Sequence, residues 1–140
     1  MKPLKNCRDC FTPVSEQAVM CPKCGAPYPA KDKWDGWGWE YKSKTSLGGL
    51  PLLHISFKFR PNRMPVVAKG VIAIGQFATG IVTISQFGLG VFSLSQFTIA
   101  GLAVAQFAVA YSCIAQFGLY IEDGWGQMVF SLSQLLRQVL

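Results

Sequence analysis

The sequence predicts a mainly β protein: a small cysteine-rich module, a short strand-rich connector, then a repeat β-solenoid that ends in either a last coil or a short C-terminal capping helix. Three observations carry that expectation. Cysteines stand in two C-x-x-C pairs at Cys7/Cys10 and Cys21/Cys24, the dipeptide Gln-Phe recurs every ten residues from Gln76 to Phe117, and no charged side chain occurs from Gly70 to Ile121. With 51% hydrophobic and only 14% charged residues in a chain of 140, the sequence is too apolar for disorder. It is also too sparsely charged to cover itself as an ordinary soluble monomer.

Residues 1–30 hold the cysteine pairs. Each C-x-x-C turn aims two thiolates at one point, so Cys7, Cys10, Cys21 and Cys24 together make a tetrahedral Cys₄ site for Zn²⁺. So small a module buries too little apolar surface to fold alone, and metal binding supplies its folding free energy. The strings Cys7-Arg8-Asp9-Cys10 and Cys21-Pro22-Lys23-Cys24-Gly25 resemble the short bacterial zinc-ribbon family, with Phe11 standing where that family often has glycine. The resemblance implies one structural zinc ion, since four sulfurs leave no open coordination position. Metal-ligand grouping of the cysteines and the absence of a signal-length apolar run at the N-terminus predict a cytoplasmic protein, with the membrane surface as the other option. The breaker-rich Gly25-Ala26-Pro27-Tyr28-Pro29 reads as a linker.

Residues 31–69 are a basic and aromatic connector, expected to pack on the first coil of the solenoid. Trp34, Trp37, Trp39 and Tyr41 crowd around two glycines, and His54-Ile55-Ser56-Phe57-Lys58-Phe59 alternates with the period of a strand. His54, the sole histidine, has no partner motif near it in sequence, so a structural role is expected.

Residues 70–121 carry the repeat. Its ladder is Gln76-Phe77, Gln86-Phe87, Gln96-Phe97, Gln106-Phe107 and Gln116-Phe117, with small residues every five positions at Gly70, Gly75, Gly80, Ser85, Gly90, Ser95 and onward. On a helix, ten residues advance about 1000°, so successive Gln-Phe pairs would scatter by roughly 80° each. In a β-solenoid the same positions stack about 4.8 Å apart, and strict repetition then builds ladders. Ten and twenty residues per coil both fit the period. A small residue followed two places later by a large apolar one resembles the pentapeptide-repeat proteins, whose fold is a quadrilateral right-handed β-helix. By that resemblance the small residues and the Phe/Leu set point inward. Outward slots hold Ile74, Ile84, Leu89, Leu94, Ile99, Val104, Val109, Ile114 and Leu119, where the family is usually polar, which fits a more apolar decapeptide-repeat class. Cys113 falls in a small-residue slot with Ala73, Thr83, Ser93 and Ala103, and is expected to be packing.

Residues 122–140 are either an interrupted last repeat or a capping helix. Val129 to Gln134 copies Val91 to Gln96 letter for letter after a break at Glu122 to Gln127, yet Leu132, Leu135, Leu136, Val139 and Leu140 also form a helical stripe.

No residue set supports an enzyme or a small-molecule substrate. The expected function is that of a non-catalytic structural protein whose apolar solenoid drives self-assembly into an oligomer or filament, with the zinc module used for docking. One alternative is a membrane-associated protein with the charge-free segment in or on the bilayer, where lipid covers its apolar faces; two apolar helices at about Val66 to Gln86 and Ile99 to Leu119 would be long enough to span it. A further alternative is a nucleic-acid-binding module using the ribbon and the interleaved Trp, Lys and Arg of residues 34–63.

Overall fold

A computed structural model describes residues 3–140; Met1 and Lys2, the start of the N-terminal stretch expected to lack a signal sequence, lie outside the described residues. The chain is mainly β, with one short helix among the described residues. It divides into two compact units, residues 1–37 with 60–63 and residues 38–59 with 64–140.

In the first unit, β1 (Leu4–Asn6) pairs antiparallel with β2 (Pro13–Ser15), placing Lys5 opposite Val14. Buried Cys7, Val14, Cys21 and Ala26 form its small core. The segment Gly25 to Pro29 is not a free linker. Met20 bridges Pro27, the Tyr28 N–H donates to the Val19 carbonyl, and the Arg8 N–H donates to that of Pro29. The Arg8 guanidinium adds bonds to the carbonyls of Pro27 and Lys31 at 3.2 and 3.4 Å, so a single arginine holds the returning chain. Local breakers forbid regular structure, but they do not forbid folding back.

In the second unit, β3 (Trp37–Lys42), β6 (Leu53–Phe59) and β7 (Ala68–Ser131) form a sheet in the order β3-β6-β7, with β4 (Ser46–Leu47) and β5 (Leu50–Pro51) as a small hairpin between β3 and β6 in sequence. β6 runs parallel to β7, with Leu53 opposite Ile72 and Ser56 opposite Gly75. The segments read as two membrane helices, Val66 to Gln86 and Ile99 to Leu119, lie almost wholly within β7. No helix among the described residues is long and apolar enough to cross a membrane. Glycine and β-branched residues throughout those segments favour the extended chain over the helix.

Within β7 burial follows the five-residue repeat and not the two-residue period of a flat strand: one small side chain in five is buried, and adjacent pairs such as Gln86-Phe87 and Gln96-Phe97 are both exposed. The buried positions include Ala68, Ala73, Ala78, Thr83, Ser93, Thr98, Ala103, Ala108, Cys113 and Gly118, all in one five-residue register, with Gly75, Ala110 and Ala115 beside them. This corrects the inward placement of the Phe/Leu set: Phe87, Phe97, Phe107 and Phe117 are 41–45% exposed, and Val82, Phe92 and Leu102 are exposed too. The physical reason is a lack of space inside. Ser93 and Thr98, five residues apart, meet through their hydroxyls at 2.7 Å, which leaves no room for a phenyl ring between them. The expected outward set is exposed at Ile84, Leu89, Leu94, Ile99, Val104, Val109 and Ile114.

The break at Glu122 to Gln127 does not interrupt β7, which continues to Ser131, and α1 (Leu132–Val139) comes next. The copied hexapeptide therefore adopts two conformations. Val91 to Gln96 is strand throughout, whereas its copy turns helical at Leu132. The residues after each copy account for the difference: Phe97-Thr98-Ile99 favours strand, while Leu135-Leu136-Arg137 consists of strong helix formers.

Candidate metal centre and exposed apolar rows

The cysteine site is built by two loops with the same hydrogen bonds. In the first, the Cys7 N–H donates to the Thr12 carbonyl and the Phe11 N–H to the Cys7 carbonyl; in the second, Cys21 N–H donates to Ala26 and Gly25 N–H to Cys21. Phe11 and Gly25 thus occupy equivalent corners, and both have left-handed backbones, at φ 57° and 74°. Phenylalanine stands where the geometry favours glycine, and its ring is 75% exposed, so no packing offsets the strain.

The four Sγ atoms lie within 4.8 Å of one another, with Cys7 to Cys24 at 3.7 Å and Cys10 to Cys21 at 3.6 Å. A tetrahedron of sulfurs about 2.3 Å from a central ion has edges of about 3.8 Å, so these residues fit a metal ion. Cys7 and Cys21 are buried, Cys10 is half-buried and Cys24 is exposed. Hydrogen bonds to the Thr12 hydroxyl and then to its backbone hold the Cys10 thiol down to about 6. At Cys24 the backbone bond at Ala26 works to lower the thiol, but desolvation and the sulfurs of Cys10, Cys21 and Cys7 push it up to about 12. Four thiols so close cannot all ionise without a cation among them, and a metal ion would supply that charge.

Cys113 takes no part in this cluster. It is buried in the second unit with Ala103, Ala108, Ala110 and Ala115, where desolvation raises its thiol. His54 is also buried. The Lys69 N–H donates to its Nδ1 at 2.7 Å, so Nε2 carries the ring proton and donates to Glu40 Oε1 at 3.0 Å. Glu40 further pairs with Lys42 at 3.1 Å and Lys58 at 3.7 Å. Burial works to raise the Glu40 carboxyl, but Lys42 and His54 outweigh it and hold the group below the usual carboxylate range.

The predicted ladder is brought together in its phenylalanines. Rings of Phe77, Phe87, Phe97, Phe107 and Phe117 stack in succession at centroid distances of 4.9, 5.2, 4.8 and 5.2 Å, with planes within 12° of parallel. Gln86, Gln96, Gln106 and Gln116 are exposed beside them, and Gln76 is half-buried. Hydroxyl contacts at the same spacing add a second ladder that sequence reasoning missed: Thr83 donates to Ser93 at 2.9 Å, Ser85 meets Ser95 at 3.0 Å, and Thr98 donates to the Gly88 carbonyl at 2.9 Å. Serine and threonine recurring at ten-residue intervals was the available signal. Two shallow grooves run between exposed rows, one beside the phenylalanines and one between the row of Phe92 and Leu102 and the row of Ile84, Leu94, Val104 and Ile114. Of the connector aromatics, Trp34 packs edge-on against Trp37 at 4.6 Å, and exposed Trp39 stacks on Tyr41 at 6.3 Å.

Comparison of the chain with protein-family models, curated proteins and solved structures finds no match.

Proposed function

We propose that this chain is a non-catalytic structural protein that associates with further copies of itself through the outward apolar rows of a β-solenoid, and that its N-terminal module is a zinc ribbon held by Cys7, Cys10, Cys21 and Cys24. The observation that carries the reading is the set of parallel rows of exposed Phe, Ile, Leu and Val along a segment with no charge from Gly70 to Ile121. Monomers rarely expose contiguous apolar patches beyond a few hundred Å², and larger ones mark contact surfaces.

Ten residues form one coil in this reading. A straight strand of ten residues spans about 33 Å, whereas phenylalanine rings ten residues apart lie 4.8–5.2 Å apart. The coil has two short walls lined inside by Ala, Gly, Ser, Thr and Cys, and apolar rows cover both outer faces. At one end the edge is not the contact: β6 and then β3, with Glu40, Lys42 and Lys58, continue the sheet there and place charge at its margin. A charged edge discourages end-to-end pairing, so the proposed association is lateral.

Zinc supplies the ribbon's folding free energy when bound, and Zn²⁺ suits four thiolates in tetrahedral geometry. The test is sedimentation and negative-stain imaging of the native protein, with metal content measured on the same sample. Regular particles of several copies, unchanged by mild detergent and carrying one zinc per chain, are expected. A monomer in buffer that floats with phosphatidylcholine vesicles would overturn self-assembly in favour of a lipid-covered surface.

A further inference from the structure

Helix α1 is amphipathic and uncovered. Leu135, Leu136, Val139 and Leu140 are exposed and Leu132 is half-buried, so most of its stripe is open. Elsewhere in the molecule, the groove bordered by Ile84, Leu94, Val104 and Ile114 has a volume of about 620 Å³ and ends at Asp123 and Trp125. Trp125 is 76% exposed.

We infer that α1 of one copy docks along this groove of a second copy, with Arg137 pairing with Asp123 of the other chain. The inference rests on the self-association proposed above and assigns what covers one of its faces. Two independent matches support it. The first is pitch. Helical residues rise about 1.5 Å each, so Leu132, Leu136 and Val139 stand about 6 and 4.5 Å apart along the axis, a total near 10.5 Å. Two steps between stacked rings cover about 10 Å, so a helix laid along the stack sets one apolar side chain against each successive step of the groove.

The second match is charge. From Gly70 onward the only cation is Arg137 and the only acids are Glu122 and Asp123. The Tyr111 hydroxyl donates to Glu122 at 3.2 Å, whereas Asp123 lies at the mouth of the groove. Arg137 sits on the helix beside the apolar stripe, from where its long side chain can reach a carboxylate at the groove end. Without a charge, a uniform ladder would accept the helix at any step; one pair at one end sets its position.

The experiment is sedimentation of Asp123→Arg, Arg137→Asp, their equimolar mixture and the double variant that carries both substitutions, with circular dichroism to establish folding. Each variant alone should associate about tenfold more weakly than wild type, because like charges meet at the contact. The mixture should recover wild-type association, since Arg137 of one variant meets Asp123 of the other, and the two reversed residues also meet. Variants that associate as wild type would overturn the helix assignment. Recovery in the double variant without recovery in the mixture would place the contact within one chain and overturn it as well. The substitution of Ile84, Leu94 and Val104 by Lys separates the two proposals. If that variant dissociates while both charge reversals do not, the helix assignment falls and the apolar-row reading stands; if all three stay associated, both fall.

Discussion

At the level of single residues, Phe11 shows how loop geometry and side-chain identity can disagree. The corner it occupies is left-handed, as is the equivalent Gly25. A left-handed backbone costs an L-residue about 1–2 kcal/mol, and glycine's greater freedom when unfolded returns about 0.5–1 of that. Phe11→Gly should therefore stabilise the module by about 0.5–1 kcal/mol, read as zinc binding about two- to fivefold tighter in a competition titration with a chromophoric chelator. The ligand set makes a sharper prediction. Cys24→Ser should abolish stoichiometric metal by elemental analysis, and Cys113→Ser should leave it intact, because Cys113 packs among alanines instead. Equal loss in both would refute the assignment. This part of the molecule was legible in the sequence, since ligand spacing is a local property. The folded-back Gly25 to Pro29 was not, because what holds it is Arg8, distant in sequence.

At the level of elements, His54 and Glu40 tie β6 to β3 and to the start of β7. Glu40→Ala would leave a buried ring N–H without its acceptor, at a cost of about 1–3 kcal/mol in urea unfolding at neutral pH followed by the β signal. The pH dependence has a definite sign. Because the folded carboxyl lies below its unfolded value, its stabilisation is fully present above the ordinary carboxylate range and is lost as pH falls through the lower folded value. Wild type and Glu40→Ala should therefore converge in acid, and a gap that widens there would contradict the account. The strand at residues 54–59 was readable from alternation alone, but its parallel register against Ile72 to Gly75 is a tertiary fact. The end of β7 was ambiguous for a different reason. The same six letters satisfy both strand and helix periods, and only neighbouring residues resolve them.

At the level of the whole molecule, period and orientation proved separable. The ten-residue period is written in the chain, whereas which side faces inward depends on how much room the interior has. Small residues at two sets of positions looked alike in sequence, and hydroxyls meeting at 2.7 Å leave the phenylalanines outside. Large side chains on the outer faces are then the surface on which any assembly rests. Each buried aliphatic side chain contributes roughly 1.5–3 kcal/mol, and three of them replaced by unpaired cations exceed what a typical association can absorb. The most direct measurement is sedimentation velocity of the Ile84→Lys, Leu94→Lys, Val104→Lys triple variant beside wild type, with circular dichroism and zinc content on both. A folded, smaller species that keeps its β spectrum and its zinc is the predicted result. A variant that unfolds beside a monomeric wild type would instead place those side chains in a core, and self-assembly through the apolar rows would be contradicted.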